Sequence, residues 1–219
     1  LSLNGELLDA TSVDLEPFSA TGVNFELAQI DEGAFELKIE TPDDFQLDNQ
    51  AYAGLDPPRQ LEVVLVSDGN TALEAALATP QAQALATIQM LGADELDSPD
   101  YVRLAESGII DLIIYDQCAP EKMPVANTLF LGSLPPGDSW KVAPPTGPLF
   151  VIDSNRSHPM LQYVDMGTVR IVEGQALTMP AGSTELIRSN EGVLMGVAPR
   201  DAFQDAVLGM SLFRADGEW

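Results

Sequence analysis

The 219-residue chain holds 34 acidic and 10 basic residues, a net charge of −24, with 45% hydrophobic residues. That is apolar enough for a folded core in one or two domains. It lacks the clustered Lys and Arg that a nucleic-acid surface or an anionic-lipid surface demands. One cysteine and one histidine exclude a disulfide framework and a Cys/His zinc site, and no apolar run approaches the ~18 residues of a membrane span.

Charge density divides the chain. Residues 1–58 carry 13 acidic residues against Lys38 alone. Apolar and polar residues alternate there in Leu1–Leu8 around Asn4-Gly5, in Val13–Glu16, in Val23–Leu27 and in Ala34–Glu40, with a turn signal at Asp31-Glu32-Gly33. Short alternating strands between turns predict a small β-sandwich over 1–58 with one buried face. Fifty-eight residues are few for a complete sandwich, and the first residue is Leu with no leader in view. Both ends therefore read as cut, as in a soluble piece of a longer protein. Asp56-Pro57-Pro58 predicts the hinge, because consecutive prolines end a strand and stiffen a linker.

From residue 59 to 219 the pattern changes. Leu61–Val66 is a near-continuous apolar run, as expected of a strand buried on both faces. Ser67-Asp68-Gly69-Asn70 turns the chain, and Thr71, with Glu74 three residues on, predicts a capped helix to Ala78 that resumes over Gln81–Leu85. Ala86–Leu91 is the next strand. Ser98-Pro99 opens a helix that Gly108 closes, and Ile109–Asp116 and Thr128–Gly132 follow as core strands. The alternation predicts an α/β unit with a doubly wound, mostly parallel sheet. Strands near 149–152, 169–172, 184–188, 193–197 and 206–210 extend it, partly antiparallel.

Candidate chemistry is sparse. Cys118 stands just past a strand end, where open α/β sheets bind ligands, but a nucleophilic thiol needs a base or a helix N-terminus to lower its pKa. Neither follows it, and Asp116 pushes the other way. His158 is the only imidazole available to a triad, with Cys118 or Ser133 as the partner nucleophile. The blander alternative is a turn residue whose ring bonds nearby main chain. Asp68, Asn70 and Asp116 lie at predicted strand ends and are candidate ligand-binding residues. Acidic clusters such as Asp43-Asp44 and Asp94-Glu95-Leu96-Asp97 match no calcium loop, and no phosphate loop or dinucleotide fingerprint occurs. No metal site or cofactor is expected.

Several motifs taken together resemble one family. Asp44–Tyr52, Pro57-Pro58-Arg59, Val63–Asn70, Tyr115–Pro120, Asn127–Gly132 with Pro135-Pro136, His158–Leu161 before Val164-Asp165, and the closing Ser211–Trp219 are similar to the extracytoplasmic part of bacterial aerotolerance-type (BatA-like) membrane proteins. The resemblance implies an immunoglobulin-like β-sandwich followed by a class I glutamine-amidotransferase-like, flavodoxin-like domain. It also implies membrane anchoring through segments outside this sequence, and partners among proteins, including von Willebrand A domains of the same or a partner chain.

Such amidotransferases carry a Gly-x-Cys-x-Gly turn after the fourth core strand. Here Leu131-Gly132-Ser133-Leu134-Pro135-Pro136 occupies that place, with no Cys and with prolines where the supporting helix would start. The expectation is therefore a non-catalytic, extracytoplasmic interaction or structural module of a membrane-anchored protein. The alternatives are a cryptic hydrolase using Cys118 or Ser133 with His158, and a small-ligand or carbohydrate-binding domain at Asp68, Asn70 and Asp116.

Overall fold

The computed structural model describes residues 1–14, 17, 23–25, 27, 30, 32–41, 45–55, 59–166 and 169–212. The chain falls into two compact units, Leu1–Arg59 and Gln60–Trp219. The predicted hinge Asp56-Pro57-Pro58 lies outside the described residues, as do Leu15-Glu16, Glu26, Asp31, Asp43-Asp44 and the closing 213–219.

The first unit is one antiparallel sheet. β1 (Ser2–Leu3) and β2 (Glu6–Leu7) form a hairpin closed at Asn4 (φ 51°) and Gly5 (φ 86°). Both central residues are left-handed, as the tight hairpin turn that matches strand twist requires. β3 (Gly33–Lys38) pairs with β1 and with β4 (Gln50–Leu55), giving the order β2-β1-β3-β4. This differs from the predicted sandwich: among the described residues there is one sheet, and no strand at Val13-Asp14 or Val23–Phe25. The physical reason is visible at its edges. β1 and β2 are two residues long, and all six positions of β4 are exposed, so alternation here does not bury a face.

The second unit is a mixed α/β fold around a mostly parallel core sheet. β5 (Leu61–Val66), β6 (Ala86–Leu91), β7 (Leu112–Asp116), β8 (Asn127–Leu131) and β14 (Phe203–Leu208) are mutually parallel in the order β6-β5-β7-β8-β14. β13 (Gly192–Arg200), β12 (Thr184–Ser189) and β10 (Val151–Ser154) continue the sheet antiparallel beyond β14. The short β9 (Lys141–Val142) and β11 (Leu177–Thr178) attach to β13 through β11. The predicted strand at 169–172 is reduced to one bridge, Leu149 to Ile171.

Alternation along β5 sends Val63 and Leu65 into one apolar core and Val64 and Val66 into the other. α1 (Thr71–Leu77), followed by α2 (Pro80–Leu85), covers the first face through Leu73. α3 (Pro99–Glu106) covers the second through Tyr101 and Ala105. Helices on both faces are what a continuous apolar strand needs.

Two buried polar clusters fix the second unit. On the α3 face, the Tyr101 and Tyr115 hydroxyls share a 2.6 Å hydrogen bond, and Tyr115 stacks on Phe130 with centroids 4.7 Å apart. Burial raises both phenol pKa values, so the pair stays neutral, one hydroxyl donating and the other accepting. At the amino end of the parallel strands, Arg200 Nε donates to Asp205 Oδ2 (2.8 Å) and Oδ1 (3.1 Å), and the guanidinium also donates to Ala126 O (2.8 Å). Thr128 Oγ1 completes Asp205 at 2.7 Å.

Candidate functional site

The carboxyl ends of β5 and β7 stand side by side, with Val66 opposite Tyr115 in the ladder. β6, to which α1 and α2 lead, lies on one side of β5, and β7, to which α3 leads, lies on the other. Chain order therefore reverses here, and such a reversal opens a crevice at the strand ends. Three side chains meet in it.

Asp116, the last residue of β7, is 5% exposed. Its Oδ2 accepts from Ser67 Oγ at 2.8 Å and from Asn70 Nδ2 at 3.0 Å. Asn70 is the N-cap of α1: its Oδ1 accepts from Leu73 N at 3.1 Å, which commits the amide nitrogen to Asp116. The cap thus sits one residue before the predicted Thr71. Glu74 still reaches back, its Oε1 accepting from Asn70 N at 3.3 Å. Asp68 caps a different segment, its Oδ1 accepting from Ala93 N at 3.0 Å.

Gly69 is at φ +110°, and a Cβ there would meet nothing within 4 Å, so the tip of the 67–70 turn stands in open space. The conformation explains the glycine. Asp116 Oδ1 is buried and has no hydrogen-bond partner among the described residues. One carboxylate oxygen is doubly satisfied and the other is bare, an arrangement that costs free energy unless something fills it.

The sequence-predicted nucleophiles lie beside this crevice. Gln117 takes a left-handed conformation (φ 57°) and turns Cys118 back toward β5, where Sγ donates to Val66 O at 3.5 Å. Burial, then the charges of Asp116 and Asp68, pushes the Cys118 thiol up to about 11. Ser133 Oγ donates to Cys118 O at 2.6 Å, so its hydroxyl is committed to a carbonyl. No helix follows β8, as Pro135 and Pro136 predict; residues 132–140 run as bends and coil. Gly132 is at φ +67°, where a Cβ would stand 3.1 Å from Ser211 N.

His158 is elsewhere. It follows β10, five strands from β7, roughly 24 Å along the sheet at about 4.8 Å per strand. The antiparallel reversals through β13, β12 and β10 also bring it to the opposite end of the sheet from Cys118. Its Nδ1 accepts from Met160 N at 3.3 Å, the local turn role that its sequence context allows. The imidazole and either nucleophile do not meet, which removes the cryptic-hydrolase reading.

A protonated, half-buried thiol predicts slow chemistry. Raising the thiol from an ordinary value near 9 to about 11 leaves about a hundredfold less thiolate near neutral pH. Iodoacetamide labelling of Cys118 at pH 7.5, followed by mass spectrometry, is expected to be at least that much slower in the native protein than in urea. Equal rates would contradict the burial and charge assigned to this thiol.

Sequence reasoning located Asp68, Asn70 and Asp116 from strand ends, and the structure brings Asn70 and Asp116 into direct contact. It missed Ser67, whose position immediately after β5 was the available signal. Two depressions lie away from this crevice. One, about 390 Å³, runs between α3 (Tyr101, Val102, Ala105) and Pro120, Lys122 and Met123. The other, about 540 Å³, lies along Asp153–Ser157 against Glu185. Neither contains a buried polar atom lacking a partner. Among the described residues no group of three or more His, Cys, Asp or Glu side chains is placed to hold a metal ion.

No protein-family model matches the chain. No curated protein matches it. Among solved structures it is similar to cytoplasmic protein STM1381 from Salmonella typhimurium LT2, at 7% identity over 70% of this chain and 89% of that one, with a TM-score of 0.50. It is also similar to cytoplasmic protein STM3548 from Salmonella typhimurium, at 10% identity over 69% and 88%, with a TM-score of 0.49. At such identity the first likeness concerns the fold, a mixed α/β architecture. The expectation of an extracytoplasmic, membrane-anchored interaction module is not upheld: the matched protein is described as cytoplasmic, and among the described residues no helix is long and apolar enough to cross a membrane.

Proposed function

We propose that the α/β unit is a small-ligand-binding domain whose site is the crevice between the carboxyl ends of β5 and β7, with Ser67, Asn70 and Asp116 as its recognition groups and Asp68 at its rim. The observation that carries this is the bare, buried Oδ1 of Asp116 beside an Oδ2 that already holds two donors. Buried polar atoms are satisfied in the great majority of native sites; this exception among the described residues lies at a strand-order reversal, where open α/β sheets bind ligands.

The finer description of the scaffold belongs to the same proposal. A flavodoxin-like, amidotransferase-like core is supported by the parallel order β6-β5-β7-β8-β14, which follows the doubly wound 2-1-3-4-5 pattern. The aerotolerance-type kinship, with von Willebrand A domains as partners, rests on the sequence motifs.

The test is a thermal-shift panel of sugars, polyols, amines and divalent chlorides at constant ionic strength, run on the native chain and on Asp116→Asn. A ligand at about a hundredfold excess over Kd adds roughly 2.7 kcal/mol, a rise of about 5–10 °C for a domain of this size. At least one compound is expected to raise Tm in the native chain and not in the variant. No rise with any compound would refute the site.

A further inference from the structure

The groups around Asp116 restrict what can fill the site. The Ser67 hydroxyl and one of the two Asn70 amide N–H bonds donate to Oδ2. Asn70 Oδ1 is occupied by Leu73 N, and Ser67 Oγ accepts from Gly69 N at 3.3 Å. Val66 O and Cys118 O accept from Cys118 and Ser133. Asp116 Oδ1 is the buried atom among these groups that has no partner, and a carboxylate oxygen there offers acceptor capacity.

A phosphate, sulfate or carboxylate ligand would set its negative charge against the Asp116 carboxylate, with Asp68 and Glu74 close by. A divalent metal would find one free carboxylate oxygen and no group of three ligating side chains. Charge favours a cation: Asp68 and Glu74 flank the crevice, the ion pairs of Arg103, Lys122, Arg188 and Arg200 go to other acids, and the whole chain carries −24. An ammonium head is compact and offers three N–H donors, and its bond to a carboxylate is charge-assisted.

Resting on the proposed ligand-binding reading, we infer that the ligand of this crevice presents a primary ammonium group that donates to Asp116 Oδ1. Binding forms N–H···Oδ1 hydrogen bonds and breaks no covalent bond.

The experiment is an amide-proton NMR titration of the full chain with methylammonium chloride. Tetramethylammonium chloride at equal concentration is the control, because it supplies the same charge and screening without an N–H donor. Ethylene glycol and magnesium chloride form separate arms. Methylammonium is expected to shift the Ser67–Asn70 and Asp116–Cys118 resonances saturably, with tetramethylammonium at least about tenfold weaker (about 1.4 kcal/mol). Asp116→Asn is expected to abolish the saturable shift, and the unaltered chain alone decides the matter if that variant does not fold.

Equal responses to both cations would show screening and overturn the inference. Saturable shifts with ethylene glycol or magnesium but not methylammonium would overturn the ammonium class while leaving the crevice as a binding site. No localised shift with any compound would overturn both.

Discussion

Replacing Arg200 by alanine is expected to remove about 3–5 kcal/mol of stability from the α/β unit, because it leaves a buried carboxylate unpaired. Asp205 is 4% exposed, and its charge is held by the Arg200 Nε–H, shared between both carboxylate oxygens, and by Thr128. The guanidinium also supplies the partner of Ala126 O, so its loss orphans a backbone acceptor as well. Urea unfolding followed by the fluorescence of Trp140, which is buried in the same unit, reads the effect. The double variant Arg200→Met with Asp205→Leu is expected to recover much of the loss, since apolar replacement of a buried pair is often neutral or better. A single variant as stable as the parent would mean that the pair is solvated rather than buried.

Phe130→Ala is expected to cost about as much, roughly 3–5 kcal/mol, by a different mechanism. Phe130 is fully buried and stacked on Tyr115, one residue before Asp116. Truncation opens a cavity beneath the strand end that carries the recognition carboxylate. Phe130→Leu keeps most of the volume and is expected to cost less than half as much. The same urea titration distinguishes the two variants, and a small loss for Phe130→Ala would mean that the core collapses around the site.

The parts of this fold that were legible in the sequence are those where a local pattern and the tertiary environment demand the same residues. Leu61–Val66 reads as a strand buried on both faces, and it lies inside the sheet. Ser98-Pro99 reads as a helix start, and Ser98 Oγ accepts from Tyr101 N. The cap of α1 was misplaced by one residue because Asn70 and Thr71 have equal capping chemistry. Only the partner of the Asn70 amide, Asp116, 46 residues away, decides between them.

The N-terminal alternation suggested a buried face that the single sheet does not supply among the described residues. β4 went unnoticed because Gln50–Leu55 has small and polar residues where a strand signal needs branched ones. The site was half legible. Strand ends pointed to Asp68, Asn70 and Asp116, whereas the bare oxygen and the distance of His158 depend on strand order. A sequence does not print that order: the reversals at β13, β12 and β10 carry the histidine away from Cys118.

The most direct measurement is a high-resolution crystal structure of the chain grown with methylammonium and, separately, without it. The ammonium nitrogen is expected within about 2.7–2.9 Å of Asp116 Oδ1, with Ser67 and Asn70 still holding Oδ2. A protein donor already seated on Oδ1 in both crystals, leaving no place for the cation, would contradict the account.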